Sequence, residues 1–130
     1  KNKKKNKKIK KKYKRKKIRT SLFINATLND IIISNQLEAD CIELHTGKLA
    51  NLVKGKKNFL KEFNRIKKYS ILANKLGLEV HAGHGLDYKT TKILTNIKEI
   101  KEFNIGHFII GESIFYSLPK VIKKFKKIIR

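Results

Sequence analysis

Glu79-Val80-His81-Ala82-Gly83-His84-Gly85-Leu86 decides how the rest of the chain is read. Two β-capable residues lead through a small one into Gly-His-Gly, after which the pattern turns helical. Glycine on both sides of His84 removes Cβ atoms, so a ligand can approach the backbone closely and either glycine can take positive φ. An imidazole at a strand end can act as acid, base or phosphate partner near neutral pH. The plain alternative is a polar turn with an incidental histidine. The neighbouring segments decide between them, because they repeat the same design.

Upstream, Ile18-Arg19-Thr20-Ser21-Leu22-Phe23-Ile24-Asn25 is a β-rich run with a polar end. Residues 28–37 suit a helix packed on a sheet, with Thr27 as N-cap and Asp30 completing an approximate capping box. A second strand is expected over residues 39–47, ending Glu43-Leu44-His45-Thr46-Gly47. Residues 48–58, rich in Lys, Asn and Gly, read as a loop. A long helix follows over 59–76, with Gly77 as its stop. Downstream of the opening stretch come a helix over 88–97, a turn around Glu99 and Ile100, and a fourth strand over 103–107. Residues 108–111 fit either more strand or a helix start. A terminal helix spans 118–129, with Pro119 in its first turn.

Strand then helix, four times over, predicts an α/β protein with a parallel sheet. Four such units are half of a (β/α)8 TIM barrel, and a small flavodoxin-like sheet is the competing topology. Asn25, Glu43 with His45, His84, and Gly106 with His107 all fall at the carboxyl ends of successive strands. That is where a barrel keeps its active site. The four histidines, at 45, 81, 84 and 107, all lie in these segments.

Composition bounds the remaining classes. The chain has 130 residues, one Cys and a formal net charge of +23. Fourteen of its 33 Lys and Arg lie in residues 1–19, which contain no acid, so 19 basic residues face 10 acids over residues 20–130. The excess is concentrated in a low-complexity, lysine-rich leader, residues 1–17, whose Lys, Asn and Arg are interrupted only by Ile9 and Tyr13. It reads as a disordered interaction tail or the remnant of a surface helix. With a single aromatic, the leader lacks the stacking residues of a nucleic-acid binder, and binding to nucleic acid is not expected. No apolar run approaches the roughly 20 residues that span a bilayer, and no signal peptide is visible. Cys41 reads as a buried small hydrophobe in a reducing cytoplasm. No metal-type Cys cluster occurs, and no metal or cofactor is expected. Because the chain holds no Met, it is expected to be processed or a fragment.

Four motifs carry a family resemblance. Ser21-Leu22-Phe23-Ile24, Ile42-Glu43-Leu44-His45-Thr46-Gly47, Ala82-Gly83-His84-Gly85-Leu86 and Asn104-Ile105-Gly106-His107-Phe108-Ile109-Ile110-Gly111 resemble, in order and spacing, the pyridoxine 5′-phosphate synthase family of vitamin B6 biosynthesis. The resemblance covers residues 18–130 and corresponds to the C-terminal half of that barrel, strands five to eight. The leader then takes the place of the helix before strand five. The family condenses 3-amino-2-oxopropyl phosphate with 1-deoxy-D-xylulose 5-phosphate, giving pyridoxine 5′-phosphate, phosphate and water.

The resemblance implies catalytic roles for His84, as proton donor, and Glu43, as the carboxylate that supports developing charge. It implies that Gly85, Gly106 and His107 bind the amino-ketone phosphate, and that residues 108–116 form the short helix of a barrel phosphate site. His45, on the same face as Glu43, is expected only to support the site, and His81 to be structural. The partners implied are small phosphorylated substrates, the missing N-terminal half of the barrel and, when complete, further copies of itself. The isolated half is expected to be inactive, since the family's general bases lie in the other half. An excerpt of an enzyme, a split-gene product and a decayed, non-catalytic remnant remain open, as does a basic nucleic-acid-binding module as the alternative function.

Overall fold

A computed structural model describes Lys16 and residues 18–130; the leader, apart from Lys16, lies outside the described residues. Four strands, β1 (Ser21–Ile24), β2 (Cys41–His45), β3 (Glu79–Gly83) and β4 (Ile100–Asn104), form one sheet. Six helices connect and follow them: α1 (Leu28–Gln36), α2 (Gly47–Lys54), α3 (Leu60–Lys75), α4 (Tyr88–Leu94), α5 (His107–Tyr116) and α6 (Leu118–Ile129). All three strand pairings are parallel, and the spatial order is the chain order, β1-β2-β3-β4. This is the arrangement expected of four consecutive barrel units, and it fits the C-terminal half of a TIM barrel. It excludes the flavodoxin-like alternative, in which the strand order reverses.

Alternation along each strand gives the sheet two unlike faces. Ile42, Leu44, Val80 and Ala82 point to one side and are fully buried under Ile31, Ile66, Ala73 and Leu94 of the helices. Their neighbours Phe23, Glu43, His45, His81 and Asn104 point to the other, polar side. Helix α3 lays Glu62, Ile66, Ser70 and Ala73 inward at helical spacing. Helix α6 is anchored by Phe125, whose ring meets Tyr88 at 4.6 Å and Phe108 at 5.9 Å.

The caps follow the sequence closely. Thr27 accepts from the Asp30 N–H at 3.2 Å to start α1, so half of the approximate capping box forms. Asp87 accepts from the Thr90 N–H at 2.7 Å to start α4. Each such cap stabilises its helix by about 1 kcal/mol. Gly77 ends α3 with φ of +79°.

Three expectations need correction. Residues 48–58 are not all loop, because α2 occupies Gly47–Lys54. Their Lys and Asn content hid a short apolar stripe, Leu49, Ala50 and Val53, that is buried on one side while Lys48, Asn51 and Lys54 face solvent. The fourth strand is Ile100–Asn104 rather than 103–107, and Ile105 lies beyond it. A bulge explains the shift: Val80 pairs with Ile100 but His81 pairs with Glu102, so Lys101 is an extra residue that breaks the alternation. Helix α4 stops correspondingly early, at Leu94 instead of residue 97.

Ile66 is fully buried at the centre of the helix–sheet core. Ile66→Ala should lower the unfolding free energy by about 2–5 kcal/mol. Urea unfolding followed by circular dichroism checks this, with the denaturant slope unchanged.

Candidate active site

The polar ends of β2, β3 and β4 come together because one strand gives way to the other two. Asn104 on β4 donates through Nδ2 to Oε2 of Glu43 on β2, at 2.7 Å. Those strands are not neighbours; β3 runs between them, and two strand spacings amount to roughly 10 Å. The bridge passes over Gly83, where a Cβ would overlap Oε1 and Cδ of Glu43. The closely approached backbone foreseen at Gly83 is therefore occupied by the protein's own carboxylate.

Positive φ falls elsewhere. His84 itself has φ of +75° and Gly85 follows at +76°. Left-handed backbone is rare for a residue carrying a Cβ and costs of order 1–3 kcal/mol, so surrounding contacts must hold it. Thr46, fully buried after β2, supplies some of them. Its hydroxyl donates to the carbonyl oxygens of Gly83 at 2.8 Å and His84 at 2.9 Å. Its N–H donates to Gly83 O at 2.9 Å.

The His84 ring stacks on His45, with centroids 4.5 Å apart and planes 29° apart. Phe23 lies edge-on to His45 at 5.4 Å. Both imidazoles pack over Gly47, where a Cβ would stand 2.9 Å from each ring. Partial burial pushes the His45 pKa below its ordinary value near 6.5, and the neighbouring His84 and Arg65 charges push the same way. That direction favours the neutral imidazole of His45, against which the His84 ring stacks.

A groove of about 840 Å³ opens in front of this arrangement. His84, Gly85, Asn104, Gly106 and His107 line it, and Phe115 of α5 bounds it. Helix α5 starts at His107 with no side-chain cap, so its first-turn N–H groups have no intrahelical acceptor. Backbone N–H groups at such a start, together with an imidazole, favour an anionic ligand. Four of the five expected site residues, His84, Gly85, Gly106 and His107, therefore share one groove. Glu43 stands behind it, linked through the groove-lining Asn104.

His81 is apart from them. It is buried lower on β3, with Nε2 2.8 Å from Glu79 and Nδ1 3.7 Å from Glu102. Arg19 pairs with the same Glu79 at 2.6 Å. Sequence reasoning missed Asn104 and Thr46 as parts of the site. The available signals were a polar residue at each strand's carboxyl end and the place of both residues within the quoted motifs. Among the described residues, no three His, Cys, Asp or Glu side chains gather to hold a metal ion, and no helix is long and apolar enough to cross a membrane.

The model of a family described as pyridoxal phosphate biosynthesis protein PdxJ matches residues 1–130. A pyridoxine 5′-phosphate synthase of Pelagibacter ubique is 61% identical over 128 residues, covering 98% of this chain and 54% of that protein. One from Sulfurihydrogenibium is 46% identical over 112 residues, 86% of this chain and 45% of that protein. One from Campylobacter fetus is 37% identical over 135 aligned residues, 87% of this chain and 52% of that protein. The chain spans about half the length of the curated relatives it matches.

Two outcomes are expected from this geometry. Gly83→Ala should expel the Glu43 carboxylate from its seat and break the bridge to Asn104, seen as loss of the shifted Asn104 side-chain amide resonance. Below pH 6.5 the unfolded chain binds a proton that folded His45 does not. The residue's stabilising share is therefore complete above that pH and is lost as pH falls through its lowered folded value. Denaturation across pH 4–8 should show a shallower acid loss in His45→Gln than in wild type.

Proposed function

Since the chain belongs to the family of the pyridoxal phosphate biosynthesis protein PdxJ, we propose that it provides the amino-ketone-phosphate side of a pyridoxine 5′-phosphate synthase site. The reaction is the condensation of 3-amino-2-oxopropyl phosphate with 1-deoxy-D-xylulose 5-phosphate. The observation that carries this reading is the shared groove of His84, Gly85, Gly106 and His107 at the strand ends. It has the parts that a phosphorylated, proton-transferring reaction needs, in contact with one space.

In this reading the phosphate rests on the Gly106-His107 start of α5 and on the Gly85 backbone, where N–H groups and an imidazole oppose its charge. His84, exposed to the groove and braced from behind by His45, donates a proton to an oxygen leaving the substrate during ring formation. Glu43, oriented by Asn104, opposes positive charge on the amine-derived nitrogen as it develops.

The other four βα units supply the family's general bases and the second substrate's contacts, so the chain acts with that half and is inactive without it. Phe23, 57% exposed on the polar face of the sheet, supports this division, since parallel sheets are ordinarily covered on both faces. The complete barrel works in the cytoplasm and associates with further copies of itself.

In the full-length protein, His84→Asn should cut kcat by on the order of 10²–10⁴-fold while phosphate-ligand binding persists. His107→Ala and Gly106→Val should first raise KM for the amino-ketone phosphate. A Cβ at Gly106 meets nothing within 4 Å, so the valine intrudes on the groove and not on the fold. Steady-state kinetics decides: a His84→Asn variant with altered KM and intact kcat would make His84 a phosphate ligand and not the acid.

A further inference from the structure

We infer that Thr46 is the positioning residue that sets the catalytic geometry of His84, an inference that rests on the reading of His84 as proton donor. The backbone makes the case first. Carbonyl groups of consecutive residues in an extended strand point to opposite sides. At φ of +75° for His84, the carbonyl oxygens of Gly83 and His84 instead converge, and one hydroxyl reaches both, at 2.8 and 2.9 Å. A threonine hydroxyl has a single proton to give, so it is shared between the two acceptors. That sharing is available only while His84 keeps its left-handed turn.

The side chains follow from that turn. Leaving the strand at this angle, His84 lays its ring 4.5 Å from the His45 ring and over the bare Cα of Gly47. His45, Thr46 and Gly47 are consecutive, so the end of β2 is a mould for the imidazole. His45 is its wall, Gly47 its floor and Thr46 its clasp. Gly85 closes the turn against Ala50 and Gly47, leaving a Cβ there only 3.2 Å from each. Thr46 is not itself among the residues that line the groove; it acts on the reaction only through where His84 points.

A merely structural threonine would satisfy the same two carbonyls, so the test needs readouts that such a role would not move. Thr46→Val keeps the shape and the N–H bond to Gly83 O while removing the hydroxyl. In the full-length protein it should lower kcat by about 10–10²-fold, the cost of a misplaced catalytic group. KM for 3-amino-2-oxopropyl phosphate should stay within about twofold, because the phosphate contacts are untouched. Thr46→Ser should restore kcat, and the His84 imidazole resonances should move in Thr46→Val and return in Thr46→Ser. If Thr46→Val does not fold, Thr46→Cys takes its place, with a thiol that donates weakly. Unchanged kcat and unmoved His84 resonances in the folded variant would overturn the assignment. A wild-type protein that turns over neither phosphate would overturn the functional reading instead, and the His84 resonances would then still decide whether Thr46 orients the ring.

Discussion

The hydrogen bond from Asn104 to Glu43 spans a strand that lies between them, and the site depends on that reach. It can form only because β3 presents a bare Cα at Gly83. Any side chain there would put Glu43 elsewhere, and Asn104 would face the groove without its acceptor. One missing Cβ therefore ties three strand ends into a single surface. Next to it, Thr46 ties the following turn to β2, so the imidazole of His84 is fixed from the strand below and from the strand beside it.

The two faces of the sheet divide the work. On the helix side, Ile42, Leu44, Val80 and Ala82 are sealed under apolar helix positions, and burial of this kind contributes most of the fold's stability. On the other side, the strands carry Glu43, His45, His81, Glu102 and Asn104, held in hydrogen bonds, ion pairs or ring contacts. A face built this way is held together by polar and ring contacts without being apolar. It carries oriented polar groups on one side while the hydrophobic core lies on the opposite side.

Much of this was legible in the sequence. Alternating apolar runs separated by helical patterns gave parallel α/β units in chain order, and the motifs gave the residues of the groove. Four features were not legible, each for a physical reason. Helix α2 was masked because exposed Lys48, Asn51 and Lys54 are interleaved with its short buried stripe, which hides the apolar period. The start of β4 was masked by the bulge at Lys101, which destroys the period-two pattern that marks a strand. Positive φ was expected of a glycine flanking His84, as Gly85 shows, but not of His84 itself. The turn at His84 meets the Thr46 hydroxyl, 38 positions earlier, a tertiary contact to which no local pattern points. Asn104 was hidden likewise, since its partner Glu43 is 61 residues away.

The central claim is that the ends of β3 and β4 and the start of α5 make one phosphate-substrate site. Titrating the ¹⁵N-labelled protein with 3-amino-2-oxopropyl phosphate tests it most directly. The amide resonances of Gly85, Gly106 and His107 should shift together, along one saturation curve. Shifts confined to a separate hollow lined by Lys48, Lys61 and Lys68, with those three amides unmoved, would contradict the account.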